Sequence, residues 1–555
     1  MRGKLLFLLP LFVFFLIGCG ENGSGVTKTF KLPVPSGTPE TIVEDVESVD
    51  YGDTIVYHLD SDALSLNPLL CDDIYSREIV RWIFNGLVTP DEHLKLKPDL
   101  AETFEVAADG KSATFHLRKG VKWHDGEEFT AEDVVFTYQT IIDPGTRSRL
   151  RFDFSMIDTI ETADKYTLTV KYSKPYADAL NIWANCIVSR HAFENKGLDP
   201  NLQPVGTGPY RFVEWLPHDH LLLEANKDYF RGRPFVDHYM FKYMADFTQA
   251  FQMLKRGELD LMFLTADQYL KQASDREFMN RFTIYLYNSY YTIVSYNLRN
   301  PLFQSSKVRK ALTMAMDRQS IVDEVFKGYA YVPARPFVPP YLKFEKKLDS
   351  WPYSPSTAKI LFESEGWRDT DGDGILDKNG QKFEFDMIAV HGNKNRELAS
   401  QIIEKSLKDN GVLAHIHFIE LGEFMRSLYI GQFSGLLVGL MLSDDPYQYF
   451  HSSQIFDLKT GNTGLNLIAY HNPEVDELLD RIRTELDPAA RMNLLQRFHE
   501  IIQEDQPGTF LYSDMTILAV SKRIRGIKSA PDWIFHDLES WYVPKKLQKY
   551  GEITH

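Results

Sequence analysis

Cysteine is scarce in this chain: Cys19, Cys71 and Cys186 are the only three among 555 residues. That is too few for a disulfide scaffold or a multi-cysteine metal centre, and no CxxC pair occurs. If Cys19 serves another purpose, Cys71 and Cys186 remain, and their spacing leaves open whether they pair. Positive charge is also in deficit, with 61 Lys and Arg against 77 Asp and Glu and a net charge of -16. A nucleic-acid partner calls for a basic footprint, so that class is excluded. Enzyme signatures are missing too. There is no GxSxG elbow, and His499-Glu500 lacks the second histidine of a zinc-protease helix. His218-Asp219-His220 lies between two strand-like runs and reads as a hairpin turn. His415-Ile416-His417 alternates, which puts both imidazoles on one face of a strand, as in a half-exposed sheet. An exported hydrolase therefore has no motif in its support. No repeat of fixed period is present.

What is present is an ordinary globular composition, 44% hydrophobic and 25% charged. A single core rarely grows past about 250–300 residues, so at least two lobes are expected. The first residues read as an export signal. Arg2 and Lys4 precede an apolar run from Leu5 to Ile17, shorter than the roughly 20 residues that span a bilayer. The run ends in Leu16-Ile17-Gly18-Cys19, which resembles a bacterial lipobox. On that reading residues 1–18 are a signal peptide, and Cys19 is acylated and holds the chain at a membrane surface. Residues 19–50, rich in Gly, Ser, Pro and acidic side chains, bury too little apolar surface to order themselves and read as a tether. No later apolar run is long enough to cross a membrane.

From Asp53 the pattern changes to alternating strands and helices. Thr54–Leu59 is β-branched and aromatic and predicts a strand. Ile74–Phe84 has helical spacing. Asp109-Gly110 marks a hairpin turn before a strand at Ser112–Arg118. Thr130 with Asp133 predicts a capping box opening a helix. Strand-like runs follow at 166–172, 221–224 and 292–297. Helix-like runs follow at 308–316, 358–365, 396–410 and 491–504. Such a mixture along a long chain is an α/β or α+β protein.

Several blocks resemble the large ABC-transporter solute-binding proteins of family 5, whose members carry oligopeptides, dipeptides or nickel. They include Leu66-Asn67-Pro68, Phe84-Asn85-Gly86-Leu87 and Pro98-Asp99-Leu100-Ala101-Glu102. The longest runs from Asp109-Gly110 through Lys122-Trp123-His124-Asp125-Gly126 to Ala131-Glu132-Asp133-Val134. Gly206-Thr207-Gly208-Pro209-Tyr210, Asn226-Lys227-Asp228-Tyr229-Phe230, Val308-Arg309-Lys310-Ala311-Leu312 and Asp505-Gln506-Pro507 complete the likeness. The resemblance covers nearly the whole mature chain. It implies an α/β, two-lobed periplasmic-binding-protein type II fold of the large cluster C type, with an extra subdomain in the first lobe. The expected division puts lobe I at 51–67, 203–295 and 508–545, the subdomain at 68–202 and lobe II at 296–507. The chain would cross between lobes near Tyr296 and near residue 508. The implied function is capture of a peptide between the lobes, outside the cytoplasm, and its delivery to an ABC permease by a lipid-anchored monomer. A nickel complex, an oligosaccharide or another small solute is the alternative cargo. No catalytic residue and no required cofactor are implied.

In peptide-binding relatives a strand-loop segment ending in Asp-Pro holds the peptide's α-ammonium. The matching segment here is Leu436 to Tyr447, so Gly439, Leu440, Met441, Asp444, Asp445 and Tyr447 are candidate ligand contacts, with Asp444 first for the ammonium and Asp445 second. Leu440 stands where relatives often carry tryptophan. Tyr296 and Asn297, at a strand end by the expected crossing, are further candidates, as are Ser65 and Asn67 before Pro68. Apart from that segment, Asp369-Thr370-Asp371-Gly372-Asp373-Gly374-Ile375-Leu376-Asp377 has oxygen donors spaced like the first part of an EF-hand loop. Asp369, Asp371, Asp373, the Ile375 carbonyl and Asp377 are the candidate ligands of a structural calcium. The twelfth position is Gly380 rather than glutamate.

Overall fold

The computed structural model describes residues 50–551 apart from position 72 and the segments 196–198, 273–274, 288–289, 334–343, 345–346, 442–444, 458–463 and 529–533. Two large sheets organise these residues. Their strands in chain order are Thr54–Leu59 (β1), Tyr210–Leu216 (β2), His220–Ala225 (β3), His238–Tyr243 (β4), Leu261–Leu264 (β5), Phe282–Tyr287 (β6), Tyr290–Tyr296 (β7), Ala330–Tyr331 (β8), Glu384–Val390 (β9), Leu413–Ile419 (β10), Gly435–Met441 (β11), Gly508–Asp514 (β12) and Thr516–Ser521 (β13). Lobe I holds the sheet β6-β13-β5-β1-β4-β3-β2, and lobe II the sheet β8-β12-β7-β11-β9-β10. All six side chains of β1 are buried, and the strand runs parallel to both β4 and β5. A strand buried on both faces belongs in such a doubly covered, parallel position.

The extra subdomain is a four-stranded antiparallel sheet of Ala101–Val106, Ser112–Leu117, Thr167–Tyr172 and Ile157–Asp164, in that spatial order, with the helix Ala131–Ile142 against it. The hairpin at Asp109-Gly110 forms as expected, with Gly110 at φ 65°. The capping box also forms: Thr130 caps the helix and Asp133 accepts the Thr130 amide at 2.9 Å. The core of this subdomain runs on into that of lobe I, so the two are one packed body. The helix Ile74–Ile83 makes the join. Its Trp82 packs edge-on against Tyr239 at 4.3 Å, and its last carbonyls meet the Gly206-Thr207-Gly208 turn. A Cβ on Gly206 would lie 1.9 Å from the Ile83 carbonyl oxygen. That close approach is the physical reason for glycine in this block.

In lobe II the helices Ser306–Ala315, Pro355–Ser364 and Lys394–Asp409 cover one face of the sheet, and Pro473–Thr484 and Pro488–Asp505 the other. β7 and β12 are hydrogen-bonded to each other and β7 to β11, so both belong to lobe II. The chain therefore crosses between lobes after Tyr287, where β6 ends, and before Tyr290, where β7 begins, and again at Met515, from β12 to β13. This corrects the expected crossings near Tyr296 and residue 508, which would have assigned both strands to lobe I.

Lobe I is assembled from remote stretches of chain, and a buried ionic cluster ties them together. Arg523, just after β13, donates from Nε to Asp260 Oδ1 at 2.6 Å and from Nη2 to the Thr54 carbonyl at 2.7 Å, and also pairs with Asp53. Asp53 takes amide hydrogens from Thr54 and Tyr550, and Asp260 takes that of Val56. Lys549 reaches Asp260 Oδ1 at 3.1 Å. Arg523, Asp53 and Asp260 are all buried. Burial alone would push the Asp260 carboxyl up, but Arg523 and Lys549 outweigh it and hold the group well below the usual carboxylate range. Replacing Arg523 by Met leaves two buried carboxylates without their main counter-charge. Arg523→Met is expected to cost about 3–5 kcal/mol of stability, read as a lower urea midpoint. An unchanged midpoint would contradict this role for the cluster.

Candidate functional site

Both crossings and the hinge-side ends of five strands lie together. β6 ends at Tyr287, β7 begins at Tyr290, β11 ends at Met441, β12 ends at Asp514 and β13 begins at Thr516. In open α/β sheets ligands bind outside the carboxyl ends of strands. β11 is unevenly paired there. On one side its whole length, Gly435 to Met441, is laddered to β7. On the other side only Gly435 and Leu436 pair with β9, through Met387 and Ile388. From Leu437 to Met441 this second edge forms no ladder pair among the described residues. Such an edge is a template for an added extended chain. Gly439, Leu440 and Met441 fall in this half of the strand. The Met441 side chain and the whole of Asp444 are outside the described residues.

Arg396 stands over this strand. It lies in the first turn of the helix Lys394–Asp409, which follows β9 and is capped by Asn393. A Cβ on Gly439 would be 3.1 Å from Arg396 Nη2. Thr292 of β7 is register-paired with Gly439 on one side and Tyr512 on the other, so the three line one row. Burial pushes the Tyr512 phenol up to about 12, with hydrogen bonds from Thr292 and Arg396 opposing the rise. Burial also raises the Asp514 carboxyl, which the charge of Arg396 counteracts. Sequence reasoning missed Arg396. The signal was a cation in the first turn of a helix, where the macrodipole disfavours it.

Asp445 and Tyr447 serve a different contact, between lobe II and the extra subdomain. Asp445 Oδ2 lies 3.4 Å from Arg483 Nε, and Oδ1 accepts the Tyr447 amide at 3.0 Å. The Arg483 guanidinium sits over the rings of Phe152 at 4.5 Å, Tyr447 at 4.8 Å and Tyr176 at 5.3 Å. Its carbonyl accepts the Ala177 amide at 2.8 Å. Arg491 pairs with Asp178 at 3.0 Å, and Gln448 donates to Asp153 at 3.0 Å. Phe152, Asp153, Tyr176 and Asp178 come from the subdomain, the others from lobe II, so the lobes are closed on each other here. Burial pushes the Asp445 carboxyl up to about 6; Arg483 opposes this and Asp178 and Asp153 add to it. The Asp445 carboxylate is thus committed to Arg483, which corrects its candidacy for a ligand's ammonium.

Two other pairs of candidates are structural. Tyr296 is wholly buried, its ring stacked on Phe303 at 4.9 Å and its hydroxyl bonded to Thr509 at 2.8 Å. Asn297 spends its amide on the Phe433 carbonyl at 2.9 Å and accepts the Arg299 amide. Both are core residues of lobe II, not cleft groups. Ser65 bonds Asn201 at 2.8 Å and caps the Asn67 amide, while Asn67 Oδ1 accepts the Leu69 amide, so this pair holds a turn.

The acidic loop adopts a tight turn. Asp369 accepts the amides of Gly372 and Gly374, and Asp377 binds the amide and hydroxyl of Thr370. The carboxylates of Asp369, Asp371 and Asp373 converge within 4.8 Å. The Lys382 ammonium already lies there, 2.7 Å from Asp371 and 2.9 Å from Asp373. Calcium takes six to eight oxygens, including a bidentate carboxylate at position twelve of an EF-hand loop. With Lys382 inside the set, Asp377 turned to Thr370 and Gly380 at that position, these residues do not fit the ion. Of the histidine pairs, His218 occupies the turn between β2 and β3. His415 and His417 share the exposed face of β10, paired to Glu384 at 2.9 Å and Asp386 at 2.6 Å.

Comparison with known proteins bears on this geometry. A family model described as bacterial extracellular solute-binding proteins, family 5 Middle, matches residues 95–455. The oligopeptide-binding protein AppA of Bacillus subtilis (strain 168) is 31% identical over 559 residues, covering 98% of this chain and 98% of that protein. The glutathione-binding protein GsiB of Escherichia coli is 26% identical over 498 residues, covering 86% and 92%. Among solved structures, AppA from Bacillus subtilis in complex with a nonapeptide superposes with a TM-score of 0.80 at 29% identity, over 90% of this chain and 100% of that one. NikZ from Campylobacter jejuni in complex with Ni(L-His) gives 0.78 at 26%, over 88% and 99%.

Two outcomes follow from the site. Arg483→Met removes the cation shared by both sides of the lobe contact and is expected to open the ligand-free protein. Small-angle scattering should show a larger radius of gyration than wild type, and an equal radius would refute this. Adding a chelator of divalent ions is expected to leave the melting temperature unchanged, because Lys382 neutralises the acidic loop; a fall of several degrees would restore the calcium reading.

Proposed function

The chain belongs to the bacterial extracellular solute-binding proteins of family 5, and on that premise we propose that it captures peptides between its lobes and delivers them to the permease of an ABC importer. The observation that carries this reading is the half-paired strand β11, whose open edge from Leu437 to Met441 lies at the hinge-side rim of lobe II. Main-chain pairing along such an edge binds a peptide without reading its side chains. The relatives named as oligopeptide- and glutathione-binding support the same cargo class. Closure about the two crossings encloses the ligand, and the contact around Arg483 holds the closed form. The cleft is built within one chain, so a monomer suffices.

Asp444 is the group proposed for the peptide's α-ammonium. It matches the family segment and adjoins Asp445, whose own charge is taken by Arg483. The N-terminal pattern ending in Cys19 supports attachment to the membrane by acyl chains, which keeps the protein beside its permease.

Mass spectrometry of ligands retained by the purified protein tests the cargo. A set of peptides is expected; a nickel–histidine complex or a sugar in their place would overturn the peptide reading. Asp444→Ala should weaken binding of a peptide with a free N-terminus about tenfold or more and leave its acetylated form little changed. Equal loss for both forms would remove the ammonium role. Cys19→Ser is expected to move the protein from the membrane to the soluble fraction.

A further inference from the structure

Closing the lobes brings carboxylates from both sides into one contact. Lobe II supplies Asp445, and the subdomain supplies Asp153 and Asp178. Two guanidiniums of lobe II share the site, Arg483 on the helix Pro473–Thr484 and Arg491 on the helix Pro488–Asp505. Arg483 Nη2 donates to the Tyr176 hydroxyl at 3.3 Å, and the side-chain amide of Asn181 donates to Asp178 Oδ1 at 2.8 Å. The Tyr447 hydroxyl donates to Asp480 at 3.3 Å, and its ring stacks on His451 at 4.3 Å. Arg149 and Arg77 act on the neighbouring Tyr449 phenol, which also feels the charges of Asp153 and Asp445.

These groups do not all travel together. Asp445, Arg483 and Arg491 stay on lobe II when the lobes part, while Asp153 and Asp178 leave with the subdomain. Asp445 then keeps Arg483, loses two like charges and meets water. Losing the like charges and gaining water both favour its ionised form. Closure reverses them. Burial, with the charges of Asp178 and Asp153, pushes the Asp445 carboxyl up to about 6 against the pull of Arg483 and the Tyr447 amide. Burial raises Asp153 as well, and Asp178 adds to the rise. The closed form therefore binds a proton more tightly than the open one, and falling pH favours closure. The gain sets in near pH 6 and is complete below the ordinary carboxylate value of about 4.

We infer that this contact is a proton-operated catch: closing the lobes traps one solvent proton among the carboxylates of Asp445, Asp153 and Asp178, so that the lobes grip more tightly as the surroundings acidify. A neutral Asp445 keeps its place, because its carboxyl still accepts the Tyr447 amide and no longer opposes Asp153 and Asp178 across the contact. The catch rests on closure about the two crossings and on no particular cargo.

Hydrogen exchange tests it. The Ala177 amide donates to the Arg483 carbonyl across the contact, so its exchange reports opening. The Tyr176 amide beside it donates to the Gly110 carbonyl within the subdomain and serves as the control. Protection of Ala177 in the ligand-free protein, corrected for the intrinsic pH dependence of exchange, is expected to rise about tenfold from pH 7.5 to pH 5, with Tyr176 unchanged. Asp445→Asn, a neutral group of the same shape, should abolish the rise. Should that variant not fold, Asp153→Asn removes one like charge and is expected to shrink the rise to about half or less. Equal wild-type protection at both pH values, or a full rise in either folded variant, would overturn the inference. So would an equal rise at Tyr176, which would report the subdomain's own stability. Arg483→Met should lower Ala177 protection at every pH; without that loss the closure reading itself fails.

Discussion

The ionic cluster at Arg523 is the constraint on which the rest of the molecule depends. A protein that opens and closes needs at least one lobe that does not deform when it moves. Lobe I is drawn from stretches of chain hundreds of residues apart, and its central strand has no covalent reason to stay beside the chain's last residues. One guanidinium between Asp53 and Asp260, with Lys549 beside it, draws the start of β1, the approach to β5, the end of β13 and the C-terminal stretch to one buried point. Buried ion pairs are poor sources of net stability against an apolar replacement, but they are exacting about geometry. Here that exactness sets where β13 enters the sheet. β13 follows Met515 directly, so it also sets where one of the two interlobe strands leaves.

With lobe I fixed, lobe II presents a sheet whose pairing is deliberately incomplete at one end. β11 keeps β7 along its whole length and gives up β9 after two residues. The hydrogen-bonding capacity left over is the kind a protein otherwise hides, because exposed strand edges invite aggregation. Its place between the lobes shields it. Cargo chemistry then comes from a few side chains on neighbouring elements, which is how one scaffold serves relatives named for oligopeptides, glutathione and a nickel–histidine complex.

Local features were the legible ones. The strand at Thr54–Leu59, the Asp109-Gly110 hairpin and the Thr130–Asp133 capping box each depend on residues within a few positions of one another, and each formed as read. The family blocks carried the fold because they mark backbone close approaches, such as Gly206 against Ile83. The interlobe crossings were misplaced because a strand's lobe is decided by its hydrogen-bond partner, and β7 finds its partners in β11 and β12, far along the chain. Tyr296 looked like a cleft residue for the same reason: the hydroxyl that takes up its own lies at Thr509. The acidic loop was read from its spacing of donors alone, whereas the cation that lies among its carboxylates, Lys382, arrives from the next hairpin strand. Arg396 was invisible because its meaning comes from Gly439, which stands beside it only in the folded state.

The two crossings follow β6 and β12, so the lobe I strands at the hinge are β6 and β13, at one end of the seven-stranded sheet. The subdomain that touches lobe II through Phe152, Tyr176 and Asp178 joins lobe I through the helix Ile74–Ile83, whose Trp82 packs on Tyr210 of β2 and Tyr239 of β4. The contact around Arg483 thus ties lobe II to a part of lobe I other than the strands about which it turns. A side chain outside the pivot strands therefore governs whether the lobes stand open.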